Sequence, residues 1–163
     1  MVTKRKDPTS DALLDELAEL YRETDRSNAG SSCPATTECC RFGITGREPY
    51  VTSIEVAAIE RAIARRGGPL SAKRRALPIA LGAARERVCP LLEISGRCSV
   101  YESRPFGCRT FFCERATISE PRRPSQEREL GNRLRAIAAR HEVGGDAPRP
   151  LSKVFGDRRG PRP

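Results

Sequence analysis

Seven cysteines fall in two tight groups, Cys33-Cys39-Cys40 and Cys89-Cys98-Cys108-Cys113, in a chain with one histidine and no tryptophan. Thiols clustered at short spacing usually share a metal or a disulfide framework, so they fix which stretches of chain must meet. The rest of the composition sharpens that constraint. Hydrophobic residues are 37% and aromatics 5% of 163, which is lean for a core that must hold itself together. A structural metal adds on the order of 10 kcal/mol in small domains and can supply what the core lacks. Full disulfide pairing of an odd number would leave one thiol over.

No apolar run approaches the roughly 20 residues of a membrane span. The basic start, Met1 to Pro8, leads into an acidic amphipathic stretch rather than an apolar signal segment. The expectation is a cytoplasmic protein without a membrane partner, in a compartment where thiols stay reduced.

The net charge is +9 and unevenly spread. Asp11 to Asp25 holds six acids and one arginine, whereas Arg61 to Arg87 holds eight basic residues and one acid. The bases are nearly all arginine, beside abundant Ala, Gly and Pro, as a high-GC coding bias gives. A basic surface attracts polyanions, but so few aromatics offer little base stacking, so nucleic acid is not the favoured partner.

Ser10 is placed to cap a helix running to about Asp25, with Leu13, Leu14, Leu17, Leu20 and Tyr21 on one face and its acids facing solvent. Thr52-Ser53-Ile54-Glu55 reads as a capping box opening a second helix, which stops at Gly67-Gly68. Ser71 to Arg87 reads as partly helical, interrupted at Pro78. Leu91 to Tyr101 reads as a short hairpin turning at Ser95-Gly96. A last helix is expected over about Ser125 to His141, with Leu130, Leu134, Ile137 and Ala138 on one face and His141 continuing that stripe. The predicted fold is mainly α: a small, irregular, cysteine-rich metal-binding domain with two to four helices and one short hairpin. Its expected parts are a basic arm and amphipathic helix (1–30), the cysteine-cluster domain (31–120), a C-terminal helix (121–143) and a disordered, dispensable basic tail (144–163).

Thiolates suit zinc, iron-sulfur clusters and copper(I). Nine residues separate Cys98 from Cys108 and four separate Cys108 from Cys113, so the chain itself keeps the second group close. Adjacent Cys39 and Cys40 are expected to point apart. Cys33-Pro34-Ala35-Thr36-Thr37-Glu38-Cys39-Cys40 resembles the CxxCxxCC opening of the YkgJ-type cysteine-cluster proteins, a family assigned to zinc or iron chelation. Cys89-Pro90-Leu91-Leu92, Gly96-Arg97-Cys98-Ser99-Val100-Tyr101-Glu102-Ser103-Arg104-Pro105 and Cys108-Arg109-Thr110-Phe111 resemble that family's second signature, CPxL…GxCxIYxxRPxxCRxF. One departure stands out: Thr36 occupies the family's second cysteine position, and its hydroxyl is a poor ligand for zinc or iron.

The resemblance implies a site of zinc or an iron-sulfur cluster on Cys33, Cys39, Cys40, Cys89, Cys98, Cys108 and Cys113, with Thr36 off the metal. Arg104 and Arg109 would stand beside the sulfurs and offset their charge. Two other functions are weighed against a metal-binding protein. One is an enzyme, or enzyme accessory, with an iron cluster left open at one position. The other is a basic nucleic-acid adaptor that uses metal only to fold. No phosphate-binding glycine loop or HExxH is present, and a triad would have to use His141.

Overall fold

A computed structural model describes residues 8–29, 31, 37–81, 84–111 and 123–156. In chain order the helices are α1 (Pro8–Arg26), α2 (Phe42–Thr45), α3 (Ser53–Arg65), α4 (Phe106–Thr110), α5 (Pro124–His141) and α6 (Leu151–Phe155). Four two-residue strands accompany them: β1 (Tyr50–Val51), β2 (Ala80–Leu81), β3 (Ala84–Arg85) and β4 (Arg149–Pro150). The molecule is mainly α, as its periodicity predicts.

The three long helices follow from their stripes. Leu13, Leu17, Leu20 and Tyr21 of α1 pack on Ile54 of α3 and on Leu130, Leu134, Ile137 and Ala138 of α5. Pro8 rather than Ser10 opens α1, because proline's fixed φ suits a first turn, where an N–H has no helical acceptor. The acids of α1 are half exposed yet not simply solvated. Glu23 pairs with Arg133 (2.7 Å), Glu16 with Arg140 and Asp11 with Arg61, so the acidic helix meets the arginines of α3 and α5.

The second core is built largely from short pieces. Phe42, Val51, Leu91, Leu92, Val100, Leu151 and Phe155 pack with Ile59 and Ile63 of α3, and Cys89 is buried among them. Helix α3 thus lies between the two cores. Its start is the predicted capping box: the Glu55 carboxylate accepts from the Thr52 amide and hydroxyl, both at 2.8 Å.

Two sequence expectations are corrected. The stretch after Gly144 is not a disordered tail through residue 156. β4 pairs antiparallel with β1, Val51 against Arg149, and the Leu151 amide bonds to the Pro49 carbonyl at 3.0 Å. Leu151 and Phe155 of α6 are 1% and 3% exposed. Gly145 sits so close to α3 and α5 that a Cβ there would collide with the Ser53 hydroxyl and the Ala138 carbonyl, and its own carbonyl accepts from the Ser53 amide at 2.9 Å. Residues 157–163 lie outside the described residues.

Among the described residues, Ser71 to Arg87 is not helical beyond one 3-10 turn, Ala72–Arg74. Its backbone is engaged sideways instead. Ala76 N–H donates to the Leu92 carbonyl at 2.9 Å, and β2 pairs with β3. Those partners claim the groups a helix would have used. The hairpin expected at Ser95-Gly96 is present as a tight turn closed by one bridge, Leu92 to Cys98, with Gly96 at φ 78°.

Candidate functional site

Three separate stretches carry the described cysteines. Cys39 and Cys40 sit on a 3-10 turn, Glu38–Cys40. The residue before it, Thr37, has φ 59°, a left-handed conformation that a β-branched side chain rarely adopts. Backbone strain of this kind collects at functional sites. The Cys40 carbonyl accepts from the Cys89 amide at 2.8 Å, and Arg41 bridges to Val88. The Arg41 guanidinium also pairs with the buried Glu86 carboxylate at 2.6 Å. The first cysteine group is thus tied to the start of the second by backbone and by charge.

Cys98 returns toward Cys89 through the Leu92–Cys98 bridge. Cys108 lies on α4, whose first amide, Phe106 N–H, donates to Glu55 Oε1 at 2.8 Å. Glu55 also accepts from the Tyr21 hydroxyl at 3.2 Å. One buried carboxylate therefore joins α1, α3 and the helix that carries Cys108. Burial pushes the Glu55 carboxyl above the usual carboxylate value, against the pull of its donors from Thr52, Phe106 and Tyr21. Sequence reasoning found Glu55 as a capping residue and missed this second duty, because its partners are 34 and 51 residues away.

The five described thiols are free. Cys39 Sγ and Cys40 Sγ lie 4.0 Å apart, so the adjacent pair does not diverge as expected; the tight 3-10 turn brings the two sulfurs together. The Cys40 thiol is pulled down by its contact with Cys39, but its contact with Cys89, burial and the neighbouring Cys89 and Cys98 outweigh this and push it up to about 12. Burial raises the Cys108 thiol, and Cys40, Cys98 and Cys39 add to the rise. Cys98 is raised by burial, with the Val100 amide and Arg104 opposing. Cys39 is raised first by its contact with Cys40. Burial and neighbouring thiols thus disfavour the thiolate form of Cys39, Cys40, Cys98 and Cys108. Among the described residues, no three His, Cys, Asp or Glu side chains stand together as a ready-made metal site. Cys33, Thr36 and Cys113 lie outside the described residues.

Arg104 and Arg109 differ in position. The charge of Arg104 favours the thiolates of Cys39, Cys98 and Cys108. It stacks over Tyr101 at 4.3 Å and approaches Asp25 at 3.8 Å. Its Nε is buried with no hydrogen-bond partner among the described residues. Arg109 is 5% exposed and reaches the same Asp25 more closely. It pairs with Asp25, donates to the carbonyls of Arg104 (2.9 Å) and Glu102 (2.5 Å), and lies over the Tyr21 ring at 4.1 Å. That is a bolt between α1 and the 101–109 segment. Arg97 is exposed.

A cleft of about 460 Å³ opens beside the thiols, its wall including Cys39, Cys108, Arg47, Tyr50, Phe111 and Glu127. His141 is remote from this site in its bonding. Its Nδ1 lies 3.0 Å from Ser53 Oγ, joining the end of α5 to the start of α3 as a helix-face residue. No described helix is long and apolar enough to cross a membrane. Comparison with protein-family models, with curated proteins and with solved structures found no match to this chain.

Proposed function

We propose that this protein binds a thiophilic metal, zinc or an iron-sulfur cluster, through cysteine thiolates contributed by the 39–40, 89–98 and 108 stretches. The observation that supports the reading is that five free thiols sit on stretches tied to one another: the Cys89 amide donates to the Cys40 carbonyl, the Leu92–Cys98 bridge turns the chain back, and Cys39 and Cys108 line one cleft. Soft thiolate donors suit these metals. The residues also fit such a group in a second respect. A negatively charged thiolate centre would give the orphaned Arg104 Nε–H an acceptor and would be offset by its charge. The resemblance of the Cys33–Cys40 and Cys89–Phe111 motifs to the YkgJ-type cysteine-cluster proteins points the same way.

Cys40, Cys89, Cys98 and Cys108 are the ligands this reading assigns first, because each is buried or half buried, whereas Cys39 is exposed and lines the cleft. Bound metal would supply cross-linking of the three stretches and, for an iron-sulfur cluster, electron transfer. The chain's own residues would hold it, keep water from the buried sulfurs and balance its charge through Arg104. Binding displaces thiol protons, so loading rises with pH.

Anaerobic purification with elemental analysis and an absorption spectrum tests this. Iron with a brown chromophore, or zinc without colour, is expected. Metal-free protein whose described thiols all alkylate freely in the native state would overturn it. A second reading, an enzyme whose iron keeps an open position, is favoured by the cleft against Cys39 and Cys108. Imidazole or cyanide shifting the spectrum of the iron protein would support that reading; an unchanged spectrum would remove it.

A further inference from the structure

The segment from Ser71 to Leu92 presents Cys89 and holds Arg41 through Glu86 and Val88, yet its surface is unusual. Leu77, Ile79 and Ile94 are 67%, 52% and 65% exposed, among the most exposed large apolar side chains described. They belong to one small region. The Ile94 amide bonds to the Arg74 carbonyl at 2.8 Å, and the Ala76 amide bonds to Leu92. The β2–β3 pair projects directly after Ile79. Cations border the apolar residues on both sides: Lys73 and Arg74 before them, Arg85 after them, all exposed.

The anionic balance is missing. Between Ser71 and Leu92 the only acid is Glu86, whose side chain is fully buried and held by Arg41 and the Ile79 amide. The nearby Glu93 is shared between Arg66 (3.0 Å) and Arg74 (3.2 Å). Lys73 and Arg85 have no ion-pair partner among the described residues. The region is therefore apolar at its crest, cationic at its flanks and free of exposed carboxylate over that span.

We propose that this surface docks on an anionic lipid bilayer, with Leu77, Ile79 and Ile94 entering the interface and Lys73, Arg74 and Arg85 meeting the headgroups. Charge complementarity selects an anionic partner, and the aliphatic crest selects lipid over nucleic acid. Leucine and isoleucine give no stacking platform for bases, whereas they gain by burial at the acyl boundary. The attachment is peripheral and needs no spanning helix. Each cation at the surface of an anionic bilayer strengthens binding about fivefold and is screened by salt.

The test is co-sedimentation of the full chain with vesicles of equal parts phosphatidylcholine and phosphatidylglycerol, against phosphatidylcholine alone. Binding only to the anionic vesicles, weakening as salt rises, is expected. Leu77→Asp with Ile79→Asp should abolish it, and Lys73→Glu with Arg85→Glu should weaken it by more than about 25-fold. Arg128→Glu, a single charge reversal on the exposed face of α5, should change it by less than about fivefold. Circular dichroism melts confirm that each variant folds. Equal binding to neutral vesicles, no binding to either, or loss equally severe in Arg128→Glu would overturn the proposal. So would tight binding to duplex DNA or RNA that the Leu77 and Ile79 changes leave intact.

Discussion

The helical half and the cysteine half of this molecule reach order by different routes. In the first, α1, α3 and α5 bring apolar stripes together around Leu17, Leu20 and Ile54, and arginines of α3 and α5 meet the acids of α1. Each helix is long enough to carry its own periodic signal. In the second, between residues 66 and 111, the longest regular element described is α4, with five residues. Its order comes from contacts at a distance: Cys89 with Cys40, Leu92 with Cys98, Arg41 with Glu86, and α6 inserted from the far end of the chain. Periodic burial suffices where helices are long. Where they are not, specific tethers between distant residues must do the work.

That contrast can be broken most forcefully at Phe155. If the cysteine half depends on α6, Phe155→Ala should cost about 3–5 kcal/mol in a urea denaturation curve. A loss below about 1 kcal/mol would mean that α6 merely rests on the surface. A smaller but sharper effect is expected where the halves join. Glu55 takes donors on both oxygens, so the amide of Glu55→Gln must face at least one of them, costing about 1–3 kcal/mol. The pH dependence follows from its raised value in the folded state. There the native state holds a proton that the unfolded chain has lost, so stability should fall as pH rises from the usual carboxylate value through the folded one. Glu55→Gln should flatten that slope, and an unchanged slope would assign it to another group.

Thr37→Gly tests local strain beside Cys39. Relief of the left-handed φ should raise stability by about 1 kcal/mol, less glycine's extra entropy in the unfolded chain. A loss of stability would show that the threonine side chain holds the turn. The smallest effect belongs to the helical half: Arg140→Ala removes an exposed pair with Glu16 and should cost no more than about 0.5 kcal/mol.

Legibility in the sequence divides along the same line. Leu13-Leu17-Leu20, Val56-Ile59-Ile63 and Leu130-Leu134-Ile137 announce their helices, and Thr52 to Glu55 announces a cap. Leu151, Val154 and Phe155 form too short a run to show a period, and the Gly, Pro and Arg around them hide a docked helix. Ala-rich Ser71 to Arg87 reads as helical because its true partners, Leu92 and Glu93, are distant and invisible to local propensity. At the candidate site, the spacing of the cysteines is legible, but not that Arg109 bolts α1 through Asp25, a residue 84 positions away.

The central claim is that thiols from three stretches hold one metal centre. Metal per chain, measured by elemental analysis on anaerobically purified wild type beside Cys98→Ser, Cys108→Ser and Cys39→Ser, tests it most directly. The account predicts one centre in the wild type, loss of metal in Cys98→Ser and Cys108→Ser, and retention in Cys39→Ser. Wild-type metal content surviving both Cys98→Ser and Cys108→Ser, or a wild type without metal, would contradict it.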